Sequence, residues 1–247
     1  AVDRDDPEIA LRGFAAPLIH RDSLPATTTK VARRELMTAA PPVLIQLEID
    51  DPASAWESAG FAIGDDDSCQ VGAVTIRFVG RGHGGGIRSW SLTDLDDAAT
   101  SIDGLDLVPA GDPAPPVSHP NTVRQIDHLV VQTPDVDRTV DALTAAGLEE
   151  RRRRHTESYG SPMTQVFHRA GEVIVEVVGP PNASGDEPAS FFGLAFTLDD
   201  LDAPAALLGD AVGDRKPAAQ EGRDRRGLRH ERLGLSVPVL LMSPSPR

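Results

Sequence analysis

The chain has 247 residues, enough to bury one large core or two small ones, and 40% of them are hydrophobic and 25% charged. The formal net charge is −14, most of it from residues 37–121, where 13 acidic residues face three arginines. Such a surface repels nucleic acid and anionic lipid, and no apolar run approaches the roughly 20 residues that a membrane-spanning helix needs.

Residues 1–36 are polar and lack strand periodicity, which suggests an amino-terminal extension outside the core fold, ahead of Met37. Ala26 to Ala40 has helical character. No apolar signal-peptide core opens the chain, so a cytoplasmic location is expected. Cys69 is the single cysteine and cannot form an internal disulfide; it reads as a small strand residue.

The first patterned unit starts with a strand over 43–49. Asp50-Asp51-Pro52 then reads as a helix start, and a short helix carrying Trp56 ends near Gly60. Strands are predicted at Phe61–Ile63, Cys69–Val71 and Ala73–Val79. The Gly80–Gly86 loop lacks both the strand–GxGxxG–helix order of a dinucleotide site and the lysine of a phosphate loop, and reads as a flexible linker. Asp65-Asp66-Asp67 reads as a solvated turn, because no glutamate follows at calcium-loop spacing. A second, shorter unit has a strand at 87–92, a short helix from about Asp94 and a strand at 105–108. Residues 37–110 are thus expected to form a degenerate domain. The proline- and glycine-rich stretch 111–121, which contains His119, reads as a domain linker.

The third unit is the clearest. A strand over 126–131 runs into Thr133-Pro134-Asp135, with Thr133 as the expected N-cap and Pro134 at the first helical position. Val136, Val140 and Leu143 make one apolar helix face. Strands follow at 148–154, 164–168 and 173–178, the last two as a hairpin around 169–172. The order is β-α-β-β-β. Arg151 to Arg154 alternate across a strand in an acidic protein, so they do not read as a nucleic-acid patch. The fourth unit repeats the order: a strand at 194–198, a helix start at 199–202, and a hairpin of 228–233 with 237–242. Sliding the third unit by 65 residues places Val136 on Leu201 and Asp137 on Asp202; a slide of 82 places Pro52 on Pro134. The fold class is α+β, with tandem βαβββ modules.

Two ionisable residues sit inside these apolar strands, His128 and Glu176. A charge there is costly without a partner or a metal. By strand alternation His128 shares a face with Ile126 and Val130, and Glu176 with Ile174 and Val178. If the first and last strands of the unit are adjacent, both side chains can enter one cavity. His168 and His230 are expected on the third strands of their units, either as partly exposed strand histidines or as additional acid, base or ligand groups.

The segments Ile126–Val131, Thr133-Pro134-Asp135, Gly171–Glu176 and Leu194–Asp202 together resemble the vicinal oxygen chelate superfamily, which holds glyoxalases, extradiol dioxygenases, epimerases and drug-resistance binding proteins. The resemblance covers 122–244 well and 42–108 weakly. It implies glyoxalase-like half-open sheet cups, with residues 122–247 as the better-preserved domain. It also implies a divalent metal in the cup, held by first- and last-strand residues of both modules. His128 and Glu176 match two of those positions. In the partner module the positions fall on Gly193 and on Leu240 or Leu241, which cannot ligate through a side chain. In the amino-terminal unit, His128 maps onto Gln46, and Glu176 maps near Arg77.

Three functions stay open from the sequence. In the first, the cup binds or transforms a small oxygenated or aromatic metabolite without a full metal-ligand set, with Glu176 as base and His128 as acid, and with Gln46, His168 and His230 as ligand-binding candidates. The second is a non-catalytic, drug-sequestering binding protein. The third is a lyase, isomerase or dioxygenase that uses Mn, Zn, Ni, Fe or Mg on His128, Glu176 and a further ligand. The partner in each case is a small molecule, and module exchange within the family makes a homodimer an expectation.

Overall fold

The computed structural model describes residues 40–246 except 83, 97 and 159, so the expected extension over 1–36 lies outside the described residues. Leucine and isoleucine fill four of the six positions over 44–49 and give β1 (Leu44–Ile49), whose Leu44, Leu47 and Ile49 are buried. It is followed by α1 (Ala53–Ser58), β2 (Ser68–Val71), β3 (Val74–Phe78) and β4 (Ile87–Leu92). These strands form a four-stranded sheet in the order β2-β3-β1-β4, with β1 parallel to β3 and antiparallel to β4. A small ribbon of β5 (Ser101–Ile102) and β6 (Leu105–Asp106) follows.

The third unit forms β7 (Val123–Gln132), α2 (Val136–Ala145), β8 (Glu150–Ser158), β9 (Ser161–Ala170) and β10 (Val173–Gly179). The fourth forms β11 (Ser190–Leu198), α3 (Ala203–Leu208), β12 (Lys216–Pro217), β13 (Asp224–Leu228) and β14 (Val239–Met242). Together they build one eight-stranded sheet in the order β12-β13-β14-β11-β7-β10-β9-β8. In each module the first strand runs parallel to the last, β7 with β10 and β11 with β14; the modules join through the antiparallel pair β7–β11. The first strands therefore sit at the centre of the sheet, where their side chains can meet. The fold is α+β with paired βαβββ modules.

One apolar core runs continuously between the two sheets. Trp56 and Phe61 pack on Phe196 of β11 at 6.3 and 5.3 Å between ring centroids, and Trp90 packs on Phe191 at 5.4 Å. Buried Asp51 accepts from Trp56 Nε1 at 3.1 Å and from the Ser236 backbone N–H at 2.9 Å, which ties α1 to the loop before β14. No helix among the described residues is long and apolar enough to cross a membrane.

Several local expectations are corrected. Asp135, not Thr133, caps α2: its carboxylate accepts from Arg138 N–H at 3.1 Å, while the Thr133 hydroxyl accepts from Asp135 N–H at 3.1 Å. Residues 61–63 are not a strand; Gly60 at φ +84 turns the chain so that Phe61 enters the core as a loop residue. The short helix near Asp94 is absent among the described residues. The glycine loop 80–86 is tied down, since Gly82 and Gly85 N–H groups donate to the buried Asp50 carboxylate at 2.9 and 2.8 Å. The stretch 228–233 is not a strand: β13 ends at Leu228, and a 3-10 turn over His230–Leu233 closes on Gly234 in the left-handed region.

Candidate functional site

The β7–β11 ladder pairs His128 with Ala195 and Ile126 with Phe196, so Asp127 is an extra residue, a β-bulge. The bulge overrides simple alternation. Ile126 turns into the core at 1% exposure, whereas Asp127 and His128, though adjacent in sequence, meet side by side. The expectation that Ile126 shares a face with His128 is therefore corrected. Asp127 Oδ2 accepts from His128 Nδ1 at 2.9 Å. An ionised carboxylate only accepts, so this bond places a proton on Nδ1 and turns Nε2 away from Asp127.

Asp127 is itself held. Its Oδ1 receives the buried Arg223 guanidinium at 2.8 Å and the Thr197 hydroxyl at 2.9 Å. Burial pushes the Asp127 carboxyl up, but the His128 hydrogen bond and the Arg223 guanidinium outweigh it and hold the group below the usual carboxylate range.

His128 Nε2 lies 3.6 Å from Glu176 Oε2 on β10, beyond a direct hydrogen bond and within reach of a third group placed between them. Glu176 Oε1 accepts from Gln165 Nε2 of β9 at 2.7 Å. The Gln165 carbonyl oxygen in turn accepts from Arg154 Nε of β8. A continuous polar row thus crosses β7, β10, β9 and β8: Asp127, His128, Glu176, Gln165, Arg154. His128, Glu176, Gln165 and Arg154 line a cavity of about 390 Å³. The facing wall, from the fourth module, is apolar or has no side chain: Phe192, Gly193, Ala195, Pro238 and Leu240.

The other sequence candidates lie elsewhere. His168 is 1% exposed on the opposite face of β9 from Gln165, and its Nδ1 faces the Leu148 carbonyl at 2.8 Å. It is thus neither partly exposed nor in the cup; its register is even where Gln165's is odd. His230 sits in the 3-10 turn, with Nδ1 3.1 Å from the Leu235 carbonyl. Gln46 belongs to the four-stranded sheet, where its Oε1 accepts from Arg77 Nε at 3.1 Å and Gly111 N–H at 2.9 Å. The stretch expected to be a linker lies across that sheet, anchored also by Ala114 N–H on Thr75 Oγ1 at 3.2 Å. Buried His119 bridges Ala62 N–H and the Gln70 carbonyl, each at 3.0 Å. Burial pushes the Cys69 thiol up to about 12, which makes it a poor nucleophile.

Sequence reasoning missed Asp127, Arg223, Gln165 and Arg154. The available signal was Asp127-His128 itself, since two consecutive polar residues break the alternation of an otherwise apolar strand.

The metal implied by the resemblance can be tested against the donor set. His128 and Glu176 are two donors, and no group of three or more His, Cys, Asp or Glu side chains among the described residues is arranged to hold a metal. Directly across the seam from His128 stands Ala195, and beside it on β14 stands Leu240. The set falls short of the three protein ligands typical of catalytic zinc or iron sites.

No protein-family model matches the chain, and no curated protein sequence matches it. Solved structures do. A mutant of 4-hydroxymandelate synthase from Streptomyces coelicolor aligns with a TM-score of 0.57 and 15% identity, over 84% of this chain and 94% of that one. The Mn(II)-bound glyoxalase from Novosphingobium aromaticivorans aligns at 0.53 and 13% identity, over 82% and 81% of the two chains. A halotolerant catechol dioxygenase aligns at 0.50 and 12% identity, over 82% and 86%. The chain therefore shares the paired βαβββ fold of these solved structures.

Proposed function

We propose that the cup of the eight-stranded sheet binds a small oxygenated or aromatic metabolite and acts on it by acid–base chemistry without a full metal-ligand set. The observation that carries this reading is His128 Nε2 standing 3.6 Å from Glu176 Oε2 at the floor of a 390 Å³ cavity whose far wall is apolar. A cavity of this size suits a small ligand. Glu176 is the base, taking a proton from carbon next to a carbonyl. His128, oriented by Asp127 and carrying protons on both ring nitrogens, donates from Nε2–H to the oxygen on which negative charge develops. Gln165 fixes the carboxylate by its 2.7 Å bond and leaves Oε2 for the substrate.

The test is deuterium exchange into small carbonyl compounds in D2O, followed by NMR alongside a binding assay. Glu176→Gln is expected to slow exchange by about 10²–10⁴-fold while keeping binding. Exchange at the wild-type rate in that variant contradicts the assignment. A second reading, binding without turnover, is favoured by the Gln165–Glu176 bond, which also serves as a fixed recognition element. Tight binding with no exchange in the wild-type protein selects it.

A further inference from the structure

Arg154 is the arginine among the described residues that line the cavity. Its Nε is committed to Gln165, and the guanidinium lies 5.6 Å from the Phe167 ring centroid. Among the described residues no carboxylate pairs with it. This sets it apart from Arg153, its neighbour in sequence, whose Nη atoms bind Asp137 at 2.7 Å and Glu150 at 3.1 Å. Glu157 also lines the cavity but is exposed and forms no ion pair with Arg154. Arginine presents donors in a planar fork, so with Nε occupied its Nη groups remain available to an acceptor from outside the protein.

The order of groups across the sheet limits what that acceptor belongs to. Arg154 stands at one end of the polar row and the His128–Glu176 pair at the other, with Gln165 between them. Glu176 disfavours a second anionic group at its own end. The wall opposite is Phe192, Leu194, Pro238 and Leu240. Resting on the reading of the cup as a small-molecule site, we infer that Arg154 is its anion-recognising residue and that the ligand is a small monocarboxylate with an aromatic or branched aliphatic body. The carboxylate lies on the Arg154 fork, the body lies on the apolar wall, and the uncharged oxygenated end reaches His128 and Glu176. Gln165 is the spacer that keeps the two ends apart. Its amide is oriented without ambiguity, because arginine only donates and an ionised carboxylate only accepts.

The test is calorimetric titration with matched acid and amide pairs that carry the oxygenated end: 4-hydroxybenzoate with 4-hydroxybenzamide, 4-hydroxyphenylacetate with 4-hydroxyphenylacetamide, 3-hydroxyisovalerate with 3-hydroxyisovaleramide. The wild-type protein is expected to bind at least one acid about tenfold or more tightly than its amide, the advantage of a charge-assisted bond over a neutral one. Arg154→Met is expected to bring acid and amide to equal affinity, and Arg154→Lys to keep part of the preference, because the charge remains and the fork is lost. The ratio of two affinities within one variant is insensitive to a modest loss of stability. Equal binding of acid and amide by the wild-type protein overturns the carboxylate assignment while leaving the cup as a small-molecule site. Retained preference in Arg154→Met overturns the role of Arg154. Binding of none of the six compounds overturns both the ligand class and the reading of the cup on which it rests.

Discussion

At Asp127, two neighbours decide a contest that burial alone would lose. Removing water from a carboxylate raises its pKa, yet His128 and Arg223 hold the Asp127 carboxyl below its ordinary value of 3.8. A depressed folded-state pKa means that Asp127 stabilises the fold above that value and loses this contribution as pH falls through and below it. The thermal midpoint should therefore fall progressively from about pH 5 downward until the pH passes below the depressed folded-state value, and Asp127→Asn should be less stable near neutrality but show a shallower acid decline. A mutant whose acid decline matches the wild type would contradict this. Arg223 is 3% exposed at its side chain and its loss strands a buried carboxylate. Arg223→Met should cost about 3 kcal/mol or more in denaturant unfolding. His128 and Glu176 were legible as charges inside apolar strands. Arg223 was not, because it precedes a polar strand and reaches Asp127 only through the β11–β14 pairing.

The strands of the third module were legible because Val173 to Val178 and Ile126 to Val131 are dense in β-branched residues. β13 was not, since Asp224-Arg225-Arg226-Gly227 offers no apolar alternation, and its ladder with β14 is set by tertiary pairing. The bulge at Asp127 was likewise invisible to period-two reasoning, which assigns every second residue to one face. Gly193 shows the same limit. The resemblance places a ligand position there, but a Cβ at Gly193 would lie 2.7 Å from the Pro238 carbonyl oxygen. Glycine is thus required by the close approach of β11 to the chain entering β14. Gly193→Ala should lower stability by roughly 1–3 kcal/mol and narrow the cup. An alanine variant with unchanged thermal midpoint and unchanged ligand affinity would contradict that account.

On the scale of the whole molecule, both tryptophans belong to the first half of the chain and both pack on phenylalanines of β11. The two sheets share one core, and buried Asp51 bridges them through Ser236. They should unfold in one transition. Trp56→Ala should destabilise the whole protein by about 3–5 kcal/mol, with fluorescence from Trp90 and far-UV circular dichroism changing together. Separate transitions would show two independent cores. The doubled βαβββ pattern of 122–244 was readable from the 65-residue slide, whereas the docking of residues 111–121 across the four-stranded sheet was not, because a proline-rich stretch gives no sign of what it lies against.

The cup is proposed to work with two protein donors, His128 and Glu176, facing an apolar wall. The most direct test is elemental analysis of protein purified without chelator or affinity tag, together with ligand affinity before and after treatment with a chelator. A two-donor cup should hold well under one metal per chain and keep an affinity that the chelator leaves unchanged. About one tightly held metal per chain, lost in His128→Ala and required for ligand binding, would contradict it.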